Sequence, residues 1–311
     1  MNGYEALRER AASIDVSARG KIRVAGEDRA RLLHAMSTND VKNLARGDGL
    51  YAFFLNDKGR ILCDACIYNS GDSLLLDTEP ETGQKLRDHL DRYIIADDAE
   101  LADETGQWAA LEIAGPGAMA AARQLALPAP EHKYGIRELP GGFVTRSTSI
   151  GGDGLRIFLP ISQKEEFLGR LRAAGIPPAT DEQARVVRIE NGWPRYGEEI
   201  GERYLVQETR IGDAVHFNKG CYLGQEIVER VRSRGQVHRV LMPVRIEGAH
   251  PPSPGAKLLA AGKTGAEIAS AVYSPGLGEV AALAYVRTEA AEAKPELLVE
   301  GSDPPQKARI L

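Results

Sequence analysis

Through the first half of the chain, short runs of alternating apolar and polar residues exchange with segments of helical periodicity. Residues 21–26 (KIRVAG) alternate and end in Gly, as a half-buried strand does. The segment after it puts Leu32, Leu33 and Met36 on one helical face. YAFFLND (51–57) and RILCDACIY (60–68) meet around a D-K-G turn and predict a β-hairpin. SLLLD (73–77) predicts a short strand. Residues 78–94 predict a helix opened by a capping box of Thr78 and Glu81. The theme then restarts. WAALEIAG (108–115) is a strand ending in Ala-Gly before a small-residue helix (116–127), and LRIFLP (155–160) is a strand. Residues 162–175 predict a helix capped by Ser162 with Glu165 and stopped at Gly175. Thr180 and Gln183 open a further helix that ends near Asn191-Gly192. From residue 236 onward, short alternating runs are punctuated by Gly and Pro, which reads as a small all-β barrel or sandwich. Residues 1–235 therefore form two similar, interleaved α+β units in this reading, and 236–311 a separate β domain.

Composition narrows the classes. The chain has 311 residues, 43% hydrophobic and 27% charged, which fits a globular protein and excludes global disorder. A net charge of −5 argues against stable nucleic-acid binding through overall charge. No apolar run approaches the ~18 residues that suggest a membrane span, and the first residues lack the apolar stretch of a secretory signal. Three cysteines, Cys63, Cys66 and Cys221, fit a reducing compartment, and a cytoplasmic location is expected.

Several residues could carry chemistry. C-D-A-C (63–66) lies in a strand-like run, where residues three apart point to opposite faces, so a shared metal is not expected there. Asp64 shares a face with Cys66 among apolar neighbours; it is either a strand-edge acid or a buried functional one. Glu190 sits in the last turn of its helix, against the macrodipole. Arg188 or Arg195 could offset it, or it could face a cleft and accept paired N–H donors. The densest signal is N-K-G-C-Y-L-G-Q-E-I-V-E-R-V (218–231). Cys221 lies between glycines with Lys219 nearby, and is either packed beside a turn or reactive. Arg230, Arg232 and Arg234 alternate and would share one face if extended, as an anion grip or a solvated basic edge.

K-G-C-Y-L-G-Q-E (Lys219, Gly220, Cys221, Tyr222, Leu223, Gly224, Gln225, Glu226) resembles the signature of the YgfZ-type folate-binding proteins of the aminomethyltransferase (GcvT) superfamily. Residues 17–68 are similar to that superfamily's opening block, 188–199 (RIENGWPRYGEE) to its R-x-E-x-G-x-P-x-x-G element, and 255–287 to its C-terminal barrel. The resemblance implies an α+β chain folded as a three-domain, GcvT-like cloverleaf: two interlaced α+β domains and a C-terminal β-barrel around a folate site. It implies tetrahydrofolate as cofactor. Asp64 matches the acid near folate N10, Tyr51 an aromatic folate contact, and Glu190 the carboxylate that holds the pterin. Cys63 stands where aminomethyltransferases have a second Asp.

Two functions follow as expectations. The first is a tetrahydrofolate-binding accessory protein that supports assembly or repair of iron–sulfur enzymes, with those enzymes or cluster-assembly proteins as partners and Cys221 as the functional cysteine. The alternative is a tetrahydrofolate-dependent aminomethyl or one-carbon transferase in which Asp64 orients the folate and steadies positive charge. A more distant third is an RNA-modification partner using the arginines of 230–239. Lys219 and the arginine run are candidates for the folate glutamyl tail. The three cysteines do not suggest a stable cluster within one chain.

Overall fold

The computed structural model describes residues 2–235 and 237–311. The chain opens with α1 (Gly3–Glu9), capped reciprocally by Asn2 and Glu5, and β1 (Ala12–Asp15). The next strands bypass β1. β2 (Gly20–Ala25), α2 (Arg29–Met36), β3 (Gly49–Leu55), β4 (Ile61–Asn69), β5 (Leu74–Thr78), α3 (Gly83–Asp91) and β6 (Glu100–Asp103) build one antiparallel five-stranded sheet, ordered β3-β4-β5-β2-β6. A second antiparallel sheet uses β7 (Trp108–Ala114), α4 (Ala118–Gln124), β8 (Ile136–Leu139), β9 (Gly142–Thr145), β10 (Gly154–Pro160) and α5 (Lys164–Ala173). Its order is β1-β7-β10-β9-β8, so β1 returns to pair with β7 and interlaces the two units. After α6 (Asp181–Glu190) and α7 (Gln225–Arg234) comes a closed barrel. It consists of β11 (Arg239–Ile246), β12 (Lys257–Ala260), β13 (Lys263–Ser274), β14 (Glu279–Arg287), α8 (Thr288–Ala293), β15 (Leu297–Val299) and β16 (Lys307–Ile310). The α+β cloverleaf with a C-terminal barrel is thus observed.

The two sheets share an aromatic core. Tyr51, Phe53 and Tyr68 of the first join Ala110, Phe143 and Phe158 of the second. Phe143 and Phe158 stack with centroids 4.5 Å apart. Each buried Phe contributes roughly 1.5–3 kcal/mol. Strand alternation sends the next residues outward. Phe54, Cys63 and Ile67 pack with Leu33 of α2 and Leu86 of α3, while Leu111 and Ile157 pack with Ala122 of α4 and Phe167 of α5. Cys63 and Cys66 consequently lie in different clusters, on opposite faces of β4.

Three local readings differ from the structure. Thr78 does not cap α3. It ends β5, where its hydroxyl donates to the Asp64 carbonyl (2.6 Å), and the residue before α3 is Thr82, without a side-chain cap bond. Ser162 lies in a short 3₁₀ turn ahead of α5, and neither it nor Gln163 caps that helix. The Thr180–Gln183 box is formed. The third difference is the arginine run, which is helical, not extended. Arg230 pairs with Glu226 (2.8 Å) one turn away, and Arg232 lies over the Phe217 ring (4.3 Å), so a two-residue spacing splits the cations around α7.

Candidate functional site

The antiparallel register of β3 and β4 sets Tyr51 opposite Cys66 and Phe53 opposite Asp64. Asp64 therefore faces inward, toward the second sheet. The Tyr51 hydroxyl donates to Asp64 Oδ2 at 2.5 Å, while Oδ1 is buried with no partner. Burial, reinforced by nearby Glu79, pushes the Asp64 carboxyl up to about 6; the Tyr51 hydrogen bond and Arg19 only partly counter it. Burial first, and the adjacent carboxylate second, hold the Tyr51 hydroxyl well above its ordinary pKa, so it stays a donor.

These groups open on a cavity of about 440 Å³ between the sheets. Its wall includes Tyr51, Asp64, Cys66, Tyr134 and Trp193, with the cations Arg19, Lys133, Arg146, Arg156 and Arg195. Volume and lining suit a small molecule with a flat body and an anionic end. Tyr134 also has a buried hydroxyl without a partner. All five cations are held by acids, Lys133 by Asp213 (2.6 Å) and Arg146 by Asp153 (2.9 Å) at the rim. Arg156 bonds Glu112 (2.6 Å) and Asp77, Arg19 bonds Asp77 (2.9 Å) and Glu79, and Arg195 bonds Glu79 (2.9 Å). Burial alone would raise Glu79, but Arg19 and Arg195 win and hold it below the usual range. A larger open groove of about 940 Å³ lies among α1, α6 and the barrel, and none of the orphaned buried side-chain atoms found among the described residues lines it.

Not all expected residues converge. Glu190 ends α6, but its carboxylate accepts from the Tyr4 hydroxyl (2.7 Å) and pairs with Arg8 (3.4 Å). It lines a neighbouring chamber of about 350 Å³ that shares the Gly151–Asp153 turn with the cavity. The helix-end charge is thus offset from α1. Arg188 is taken by Glu199 (2.8 Å) and Arg195 by Glu79, so neither performs that task. Lys219 is also turned away. Its ammonium donates to the Ser37 carbonyl (2.6 Å) and the His34 carbonyl, at the C-terminus of α2, and burial pushes it down to about 7. It is unavailable to a ligand tail in the cavity.

The rest of the motif acts as a fastening. Tyr222 is buried in the inter-sheet core, and the Leu223 N–H donates to the Ala35 carbonyl (3.0 Å). Gly224 has φ +82, and a Cβ there would stand 2.7 Å from the Asn56 carbonyl oxygen of the β3–β4 turn. Gln225 and Glu226 start α7. Cys221 alone of the cysteines is exposed, and it does not line the cavity. Cys66 does line it, although burial pushes its thiol up to about 11. Sequence reasoning missed Tyr134 and Trp193; the aromatic–glycine pair Tyr134-Gly135 was the available hint.

Two interlaced α+β units, a closing barrel and a buried acid between the sheets define the class, and comparison with known proteins agrees. Residues 2–219 match the GCVT N-terminal domain. The aminomethyltransferase of Rubrobacter xylanophilus is 31% identical, over 99% of this chain and 84% of its own. That of Streptomyces coelicolor is 28% identical, over 91% and 80%. The crystal structure of the glycine cleavage system aminomethyltransferase T from Bartonella henselae superposes with a TM-score of 0.89 at 20% identity, over 99% of this chain and 87% of its own. The chain belongs to the GcvT family. Among the described residues, no helix is long and apolar enough to cross a membrane.

Proposed function

We propose that this chain is a tetrahydrofolate-dependent one-carbon transferase of the aminomethyl type. One observation carries the reading: Asp64, buried and driven toward neutrality, keeps one oxygen unpartnered in a cavity of folate size. The aminomethyltransferases of Rubrobacter xylanophilus and Streptomyces coelicolor, as relatives along nearly the whole chain, support it. The residues fit the group. Asp64 accepts an N–H of the ligand, Tyr51 and Tyr134 border its flat body, and Lys133 and Arg146 would exchange their present half-exposed partners, Asp213 and Asp153, for carboxylates of the ligand. Bound tetrahydrofolate would supply the nitrogen that receives the one-carbon unit. The protein's part is orientation and charge. Asp64, ionised above pH 6, steadies positive charge at that nitrogen and can take up its proton. Tyr51 holds the carboxylate in place. The test is incubation with tetrahydrofolate and an aminomethylated lipoyl carrier. Methylene-tetrahydrofolate and free ammonia are expected, and their absence despite folate binding would remove the transferase reading.

A second reading rests on a different observation. Cys221 is exposed on a loop pinned by Lys219, Tyr222, Leu223 and Gly224, which suits transient contact with a partner. Cys63, where a second Asp would serve transfer chemistry, is buried in the outer core. In that reading the protein binds folate and assists iron–sulfur enzymes. It predicts folate binding without turnover, and loss of iron–sulfur enzyme activity in cells carrying Cys221→Ser.

A further inference from the structure

Tyr134 combines three features that packing alone does not explain. Its backbone is left-handed (φ +63), a conformation that L side chains rarely adopt. It is locked there from several sides. Its N–H donates to the Arg146 carbonyl (3.0 Å), Gly135 N–H to His132 (3.1 Å), and Ile136 N–H to Gly47 (2.8 Å). Gly49 packs so closely that a Cβ would stand 2.6 Å from the Tyr134 carbonyl oxygen. The second feature is that its ring, 7% exposed, lines the same cavity as Asp64. The third is that its hydroxyl, like Asp64 Oδ1, is buried and unpaired. The Tyr51 hydroxyl gives its own proton to Asp64 Oδ2, and no hydrogen bond joins the two phenols. Strained backbone gathers where the surrounding structure aims a side chain at a ligand. A buried polar atom without a partner is costly unless something else supplies one.

We propose that Tyr134 is a ligand-contacting, specificity-determining residue, and that with Asp64 it reads a heterocycle offering both an N–H donor and a carbonyl or ring-nitrogen acceptor. Asp64 Oδ1 takes the donor, and the Tyr134 hydroxyl gives its proton to the acceptor. Burial holds that hydroxyl far above its ordinary pKa, so it remains a donor at every working pH. The inference rests on the folate reading and adds to it the residue that selects the heterocyclic end.

The experiment titrates wild type, Tyr134→Phe and Asp64→Asn with tetrahydrofolate and with p-aminobenzoylglutamate, which lacks the heterocycle, and measures ligand-free Tm. Tyr134→Phe should weaken tetrahydrofolate about tenfold and leave p-aminobenzoylglutamate unchanged. Its ligand-free Tm should equal or exceed that of wild type, because the change deletes an unpaired buried hydroxyl. Equal tetrahydrofolate affinity in wild type and Tyr134→Phe overturns this inference and leaves the folate reading standing. A lower ligand-free Tm, or an equal loss for both ligands, overturns it as well. No binding by wild type removes the folate reading and this inference together.

Discussion

Asp64 and Asp77 stand on neighbouring strands, both buried, and their surroundings drive them in opposite directions. Asp77, register partner of Lys21 and Cys66, sits among Arg156, Arg19 and Lys21. Burial alone would raise it, yet these cations hold it below the usual carboxylate range. Asp64 has one phenol on one oxygen and nothing on the other, so burial wins. The sheet spends one acid on binding the two halves together, since Arg156 carries Asp77 of the first sheet to Glu112 of the second. It leaves the other acid in want of a partner. Burial alone therefore does not set Asp64 apart; its unmet hydrogen bond does, and the role proposed for it rests there.

The comparison can be broken from either side. The largest effect should come from Asp77→Ala, which strands Arg156 and Arg19 in the core. A loss of ~3–5 kcal/mol is expected in denaturant unfolding, with the unfolding slope unchanged. Asp64→Asn should do the reverse. Stability at neutral pH should hold or rise, while tetrahydrofolate affinity falls ~10- to 100-fold by calorimetry, the worth of a charge-assisted bond of about 1.5–3 kcal/mol.

A pH series sharpens the contrast. The folded pKa of Asp64 is raised to about 6 above an unfolded value near ~3.9. Between those values the folded state holds the extra proton, so this group's contribution to stability falls as pH rises from about 4 to 6. Asp77 and Glu79, lowered on folding, act oppositely: their contribution is present above the unfolded pKa and is lost as pH falls through the folded one. The stability gap between Asp64→Asn and wild type should therefore open between pH 4 and 6 and stay constant above. Wild-type folate affinity should drop below pH 6, by up to about tenfold per unit. A flat profile would mean that Asp64 does not titrate in that window.

The smallest effect concerns the thiols. Cys221→Ser should change stability by less than ~0.5 kcal/mol. A small alkylating reagent should label Cys221 in the native protein well before Cys63 or Cys66, as mapped by mass spectrometry. Early labelling of Cys66 would mean that the cavity admits reagents freely.

Legibility in the sequence followed the range of the forces involved. The β3–β4 hairpin, the face that Asp64 shares with Cys66 and the Thr180 cap depend on neighbours within a few residues, and periodicity and turn chemistry reveal them; that this face is the buried one needed the second sheet. Thr78 matches the same capping pattern as Thr180, but its hydroxyl is claimed by the Asp64 carbonyl on the adjacent strand. Glu190 is captured by Tyr4 and Lys219 by the end of α2, partners more than 180 residues away in the chain. Tyr134 is held in its strained form by Gly47, Gly49 and Arg146, so no local pattern announces it. Asp64 could be picked out from its strand, whereas the placing of Tyr134 in the same cavity needed the fold.

The interlacing of β1 has a consequence in time. β1 pairs with β7, and Ala12 meets Ala114, about 100 residues later in the chain. At ~5–20 residues per second of synthesis, roughly 5–20 s pass between the appearance of the two strands. The sheet of β2 to β6 is complete before then, because its last strand ends at Asp103. The first strand to leave the ribosome must therefore wait, unpaired, while a sheet to which it does not belong is built beside it. Its alternating Ala12 and Ile14 are the residues exposed to wrong partners during that interval.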